Sequence, residues 1–263
     1  MFVEFFKYQG TGNDFILIDD RNESFPVSQE RIARLCHRRF GIGADGLILL
    51  RNHPEYDFRM IYFNADGAEG SMCGNGGRCI VRFAHDLGLF ETETRFLAVD
   101  GEHEASVVPE GISLKMSPVD GMEIHPEYTF LNTGSPHVVK LNEEVESMDV
   151  VGEGRQIRYD ALFAPGGTNA NFIRPVDGSA LFVRTYERGV EDETYSCGTG
   201  VTAAALVAHR RLAMESPVGI RTLGGNLSVR FTPRPDGGYS DIYLIGPAER
   251  VYSGNLDLTQ VPS

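Results

Sequence analysis

Apolar residues along the chain fall into short blocks with two different periods. Phe15–Ile18 and Leu47–Leu50 are apolar runs of strand length, and the largely apolar Tyr56–Phe63, Val138–Leu141 and Ala180–Tyr186 also read as strands. Other segments carry the helical period. Ile32, Leu35 and Cys36 share one face of a pattern running from Ile32 to Phe40, and Cys79, Ile80, Phe83, Ala84 and Leu87 line one stripe. The segment Arg78–Leu87 predicts a helix that Gly88 stops, and Val201–Ala208 predicts a second. The second is apolar nearly all round, so it calls for burial on every side, as inside a curled sheet.

These blocks occur twice in the same order. Thr11-Gly12-Asn13 leads into one strand, and Thr133-Gly134-Ser135 leads into its counterpart. Tyr56–Phe63 runs into Asn64-Ala65-Asp66-Gly67, as Ala180–Tyr186 runs into Glu187-Arg188-Gly189. Gly12 precedes Cys73 by 61 residues, Gly134 precedes Cys197 by 63, and the two cysteines lie 124 apart. The repetition predicts two homologous α+β lobes, each of short strands and turns with one central helix opened by a cysteine. The boundary is expected near Met116-Ser117-Pro118. That gives an N-terminal lobe of residues 1–117, completed by the tail 251–263, and a C-terminal lobe of 118–250. Facing lobes would bring both helix openings to a shared cleft.

Length and composition narrow the class. At 263 residues with 41% hydrophobic and 23% charged, the chain can bury two ordinary cores. No apolar run reaches the ~18 residues that cross a bilayer. Glu4 and Lys7 interrupt the first residues before a signal-peptide core can form, so a cytoplasmic protein with no membrane partner is expected. The net charge of −13 argues against a nucleic-acid partner. The densest basic run, Arg31, Arg34, His37, Arg38 and Arg39, is expected to solvate one helix face. Glycine, at 30 residues, exceeds the usual ~7% and clusters with Asn, Cys and Thr in short motifs.

Four cysteines, Cys36, Cys73, Cys79 and Cys197, show no zinc-ligand spacing, so no metal is expected. Cys36 and Cys79 fall on apolar stripes and read as core. Cys73 and Cys197 each open a Cys-Gly-x-Gly element, Cys73-Gly74-Asn75-Gly76 and Cys197-Gly198-Thr199-Gly200, just ahead of a predicted helix. Unpartnered backbone N–H groups and the positive end of the helix dipole meet at such a point, favouring thiolate and attracting anions. Gly41-Ile42-Gly43-Ala44-Asp45-Gly46 matches the dinucleotide pattern in spelling, but it follows a helix and precedes a strand, the reverse of a nucleotide loop.

Two such thiols could form a redox pair or an acid–base pair. Redox pairs commonly sit close in sequence on one helix, whereas these are divided between two lobes. Flanking one carbon from opposite sides suits them better: a thiolate takes a proton from Cα, a thiol returns one to the other face, and configuration inverts. Donors at the helix openings would hold the carboxylate on which negative charge grows.

The motifs that carry these residues resemble those of diaminopimelate epimerases. They are Gly10-Thr-Gly-Asn-Asp-Phe, Gly41-Ile-Gly-Ala-Asp-Gly-Leu, Phe63-Asn-Ala-Asp-Gly, Met72-Cys-Gly-Asn-Gly-Gly-Arg, Ser135-Pro-His, Gly167-Thr-Asn-Ala-Asn-Phe, Tyr186-Glu-Arg-Gly and Cys197-Gly-Thr-Gly, and together they span nearly the whole chain. The resemblance implies a homodimeric, cofactor-independent epimerase of two pseudo-symmetric lobes, each a mixed β-sheet curled into a barrel around a central helix, acting on a small molecule, LL-2,6-diaminopimelate, to give the meso form used for lysine and peptidoglycan. It implies that Cys73 and Cys197 are the acid–base thiols. Backbone at Gly74, Asn75, Gly198 and Thr199 would bind the reacting carboxylate, with Asn13 nearby. Asn64, Asn169 and Arg188 would hold the distal carboxylate and Glu187 the distal ammonium, while His137 and Glu187 would lie close enough to the thiols to tune their protonation. The chain has Gly46 where many members carry glutamine, and Ser135 where many carry asparagine. Proline racemase-like enzymes resemble this arrangement too, but typically have histidine where this chain has Asn75. An amino-acid-binding protein or a thiol redox protein are the readings from other classes.

Overall fold

The computed structural model describes residues 2–70 and 72–261, and the chain divides into two compact units, Met1–Leu114 with Pro247–Ser263, and Lys115–Gly246. In the first unit, β1 (Phe2–Gly10) and β2 (Asn13–Asp19) form a hairpin, and helix α1 (Gln29–Cys36) connects β2 to β3 (Gly46–Arg51), its parallel neighbour. Next come β4 (Phe58–Asn64), helix α2 (Gly74–Asp86), β5 (Glu93–Ala98), β6 (Gly101–Val108) and β7 (Gly111–Met116). β3–β4 is antiparallel, β4–β5 parallel, and β5–β6 and β6–β7 antiparallel. The last strand of the chain, Glu249–Asp257, joins the other edge beside β1.

The second unit repeats this succession. β8 (Glu123–Ile124) pairs with β9 (Thr129–Asn132), and β9 pairs antiparallel with β10 (Pro136–Leu141). Helix α3 (Val150–Arg158) then leads to the parallel β11 (Asn169–Pro175), which pairs antiparallel with β12 (Ala180–Glu187). A short β13 (Asp192–Thr194) folds back on β12, and helix α4 (Gly198–Leu212) follows. β14 (Val218–Thr222) lies parallel to β12, with β15 (Gly225–Pro233) and β16 (Tyr239–Gly246) continuing antiparallel; the closing strand of the chain is β17. The duplication is therefore one of topology as well as of motif. Both sheets are mixed, as expected, but they do not close, so the expected barrels are open curled sheets.

Strands β2, β3 and β11 have a helix packed on each face, which explains why they are buried almost continuously, whereas strands such as β5 and β16 alternate. Ile16, Ile18, Leu47 and Leu49 pack with Ile32, Leu35 and Cys36 of α1, while Phe15 and Ile48 approach Gly76 of α2. In the second unit, Ala170, Phe172 and Tyr186 pack with Val150 of α3, and Val139, Ile173, Leu181 and Val183 pack around α4. Val201 and Ala203–Ala208 are fully buried, as an all-round apolar helix requires. Burying Val201, Leu206 and Val207 contributes about 1.5–3 kcal/mol each.

Both predicted helices begin earlier than the apolar period suggests, immediately after their cysteines. Helix α2 is also buried more widely than one stripe. Gly74 through Val81 are all buried, and a Cβ on Gly77 would lie 2.9 Å from Leu114 Cδ2 and Met72 Sδ. The pattern Ile32–Phe40 overestimates α1, which stops at Cys36. The reason lies in the glycine-rich loop that follows. Ile42 and Gly43 N–H donate to Leu35 O, and Ala44 N–H to Cys36 O, satisfying the orphan carbonyls of the helix. A Cβ on Gly41 would meet Arg34 O at 2.1 Å, so this close wrap requires glycine. Gly41–Gly46 is thus a helix C-terminal wrap feeding β3.

Candidate active site

Within the first unit, Cys73 is the N-cap of α2, with extended backbone, and its Sγ accepts the Gly76 N–H at 3.2 Å. The sulfur is half-buried. A Cβ on Gly76 would lie 3.3 Å from that sulfur, so glycine leaves the thiol room over the helix opening. Asn75, 3% exposed, donates through Nδ2 to Asn13 Oδ1 at 3.3 Å, and Asn13 Nδ2 donates to Asp45 Oδ2 at 2.6 Å. Asp45 and Asp14 are bridged by Arg38, while Lys7 pairs with Asp14 at 2.6 Å and donates to Gly43 O. Arg38 therefore does more than solvate a helix face. Burial would raise the Asp14 carboxyl, but hydrogen bonds from Arg38 and Lys7 outweigh it and hold the group at about 2.

Asn64 ends β4 and is exposed, with its backbone closing a turn through Gly67 and Ala68. A Cβ on Gly70 would lie 2.9 Å from Asn64 Nδ2 and 2.8 Å from Tyr62 Cε1, so Tyr62 stands beside Asn64. The same ring explains Gly46, where a Cβ would come 2.5 Å from Tyr62 Cε2 and 2.6 Å from Phe63 O. Tyr62 fills the space that a longer side chain at 46 would need.

In the second unit, Cys197 is the N-cap of α4, and its Sγ lies 3.5 Å from Thr199 Oγ1. Thr199 Oγ1 is in turn 2.9 Å from His137 Nε2, and Thr133 Oγ1 donates to Thr199 O. His137 therefore reaches the thiol through a hydroxyl. Its tautomer follows from Asn171, whose Nδ2 faces both Val138 O and His137 Nδ1 at 3.0 Å. A carbonyl only accepts, so the amide NH2 is on that side, Nδ1 is the acceptor, and the imidazole proton sits on Nε2. Burial, with a smaller contribution from Arg188, pushes the His137 imidazole down to about 3, so it is neutral near pH 7. A Cβ on Gly200 would meet Asn171 Oδ1 at 2.4 Å.

Asn169 is 3% exposed, and its Nδ2 donates to Ser135 Oγ and Pro136 O while its Oδ1 accepts the Arg188 N–H at 2.8 Å. It seats Arg188. Ser135 Oγ also lies 3.0 Å from His137 Nε2, so the shorter side chain joins the imidazole network. The Arg188 guanidinium donates to Gly166 O, and Thr194 Oγ1 donates to Glu187 Oε2 at 2.9 Å. The structure thus gathers Asn13, Cys73, Gly74 and Asn75 at one helix opening. It gathers His137, Cys197, Gly198 and Thr199 at the other, with Asn169 and Arg188 joined to His137 through Ser135. Sequence reading assigned no role to Arg78, Asp45 or Asn171. The signal available was their place inside the same Gly- and Asn-rich motifs.

Open, mixed sheets packed on central helices define an α+β fold shared with solved racemases, epimerases and PhzF proteins. A PhzF-family phenazine biosynthesis protein of Bacillus anthracis superposes with a TM-score of 0.77 at 13% identity, covering 98% of this chain and 99% of that one. A hydroxyproline epimerase of Agrobacterium vitis, solved with trans-4-hydroxy-L-proline, superposes with a TM-score of 0.67 at 12% identity, covering 97% and 92%. The sequence model of the diaminopimelate epimerase family matches residues 5–120 and 129–251. The diaminopimelate epimerases of Flavobacterium psychrophilum and Chlorobaculum tepidum are 47% and 45% identical, covering 97% and 95% of this chain and 100% and 99% of their own. The chain belongs to the diaminopimelate epimerase family.

Proposed function

We propose that the protein interconverts LL- and meso-2,6-diaminopimelate without a cofactor, using Cys73 and Cys197 as its two acid–base groups. Family membership and the duplicated thiol caps support this reading. The observation that carries it is the placement of each thiol as the N-cap of its own buried helix. One sulfur, as thiolate, takes the Cα proton, and the electron pair of the broken C–H bond spreads into the carboxylate. The other sulfur, as thiol, gives its proton to the opposite face of Cα. Configuration inverts, and the two sulfurs have exchanged protonation states.

The negative charge on the carboxylate needs donors, and the first N–H groups of both helices, at Gly74, Asn75, Gly198 and Thr199, are of the right kind. Asn13 stands beside Asn75 to extend that set. At the far end of an open-chain diamino diacid, Asn64 and Arg188 bind the second carboxylate, Asn169 seats Arg188, and Glu187 pairs with the ammonium. His137 keeps the Thr199 hydroxyl oriented toward Cys197. The reading carries with it a cytoplasmic homodimer, and a place in lysine and peptidoglycan precursor synthesis. Among the described residues no helix is long and apolar enough to cross a membrane.

The deciding experiment incubates LL-diaminopimelate with the protein in D2O under reducing conditions, with no added cofactor. Deuterium is expected at one Cα as the meso isomer appears. Absence of exchange overturns the assignment, and exchange into proline instead would favour the proline racemase type.

A further inference from the structure

Arg78 is among the largest side chains with no exposure at all. Its Nε donates to Pro247 O at 3.3 Å and its Nη1 to Gly74 O at 3.2 Å. Its Nη2 donates to Thr11 Oγ1 at 3.1 Å and to Asn75 Oδ1 at 3.2 Å. Every one of these acceptors is neutral, and no carboxylate among the described residues pairs with it. Buried charges are ordinarily paired, so a lone buried guanidinium points to an anion that comes and goes. Burial pushes it down to about 10, which still leaves it charged at neutral pH. Three of its four bonds end at the opening of α2 or at the turn just before Asn13.

We propose that Arg78 is a positioning residue for Cys73: its guanidinium is the counter-charge of the Cys73 thiolate, and its grip on Asn75 sets the donors beside that sulfur. The amide orientations follow from the two ends of the chain of bonds. Arg78 only donates, so Asn75 turns its oxygen inward and its Nδ2 toward Asn13 Oδ1. Asp45, a carboxylate, only accepts, so Asn13 turns its Nδ2 toward it. Two opposite charges thereby hold both amides in one orientation, with no rotamer freedom left to lose when an anion binds.

The other charged groups packed about α2 have partners of their own. Lys7 of β1 and Asp14 of β2 pair with each other, and Tyr8 of β1 donates to Asp86 at 2.6 Å. Arg51 at the end of β3 pairs with Asp20. On β6, Glu102 pairs with Arg95, His103 contacts Asp100, and Glu104 stands opposite Arg95 across the β5–β6 ladder. Arg250 of β17 lies over the Phe6 ring. On α2 itself, Arg82 pairs with Asp86, His85 lies 3.8 Å from that carboxylate, and burial pushes the Cys79 thiol up, so it stays neutral. Cys73 immediately precedes Gly74 and Asn75, the two residues of the helix opening that Arg78 holds.

This inference rests on the reading of Cys73 as an acid–base thiol, but its test needs no turnover. The rate of Cys73 alkylation by iodoacetamide, read at that peptide by mass spectrometry, is followed from pH 5 to pH 10. In R78M the midpoint is expected to rise by about one unit, a roughly tenfold slower reaction at pH 7. R78K, which keeps the charge without the fork, is expected to restore most of the shift. A folded R78M with the wild-type midpoint, or an R78K no better than R78M, overturns the proposal. Should R78M not fold, the Arg78 Nε–H resonance of the wild-type chain decides. It is expected to titrate with Cys73 and to stop doing so in C73A, and a signal unmoved across that range overturns the proposal. A chain that fails to epimerise diaminopimelate yet shows these shifts would refute the substrate and leave the pairing intact.

Discussion

The two helix openings are built on one plan and supported in different ways. At α2 the sulfur accepts a backbone N–H, and behind it stands a buried cation tied through two amides to a carboxylate. At α4 the sulfur faces a hydroxyl, and behind it stands a neutral imidazole held by an amide. The first arrangement stabilises a standing negative charge by fixed positive charge and dipole. The second orients hydroxyl and imidazole dipoles toward the sulfur. One duplicated motif, Cys-Gly-x-Gly, thus carries its two thiols on different supporting groups.

The largest effects should erase the difference. Cys73→Ala and Cys197→Ala are each expected to cut epimerisation by about 10³-fold or more, because inversion needs a donor and an acceptor on opposite faces. Binding of diaminopimelate, followed by calorimetry, should persist in both. Near-normal turnover in either variant would refute the two-base assignment. A smaller and one-sided effect is expected from Thr199→Val, which removes the hydroxyl between His137 and Cys197. Its kcat should fall about tenfold, while the alkylation profile of Cys73 stays put; a shift at Cys73 would mean the two openings are not separately supported.

The smallest effect concerns stability. His137 in the unfolded chain takes up a proton near pH 6.5, whereas in the fold burial holds it down to about 3. The unfolded state therefore binds more protons between those values, and stability is lost as pH falls from about 6.5. Asp14 has the lower window. Held at about 2 by Arg38 and Lys7 against its burial, it contributes stability above its unfolded value, and that is lost as pH falls through about 2. Urea midpoints at pH 7, 6 and 5 should decline, and His137→Gln should flatten the decline. Equal midpoints across that range would contradict the neutral, buried imidazole.

Much of the architecture was legible from pattern alone. The alternate blocks of strand and helix period, their repetition, and the wholly apolar Val201–Ala208 led to two α+β lobes with buried central helices. The error over α1 is instructive. Ile32–Phe40 keeps a helical period past Cys36, but the loop from Gly41 folds back to take the helix carbonyls, and nothing local to Ile32–Phe40 announces that. That the curled sheets stay open is likewise beyond local pattern, because a strand's period shows which faces are buried and not whether the last strand finds the first.

Local chemistry in the chain determined that two cysteines would cap two helices, since Cys-Gly-x-Gly ahead of an apolar helical segment leaves the backbone little else to do. It determined also which glycines would crowd those caps. What stands behind each sulfur was decided only by tertiary structure. Asn75 meets Asn13 across 62 residues, Asn13 meets Asp45 across 32, and His137 meets Thr199 across 62. Hydrogen-bond partners and counter-charges at such separations are chosen when strands pair, so protonation state and tautomer belong to the fold, while the thiols themselves belong to the sequence.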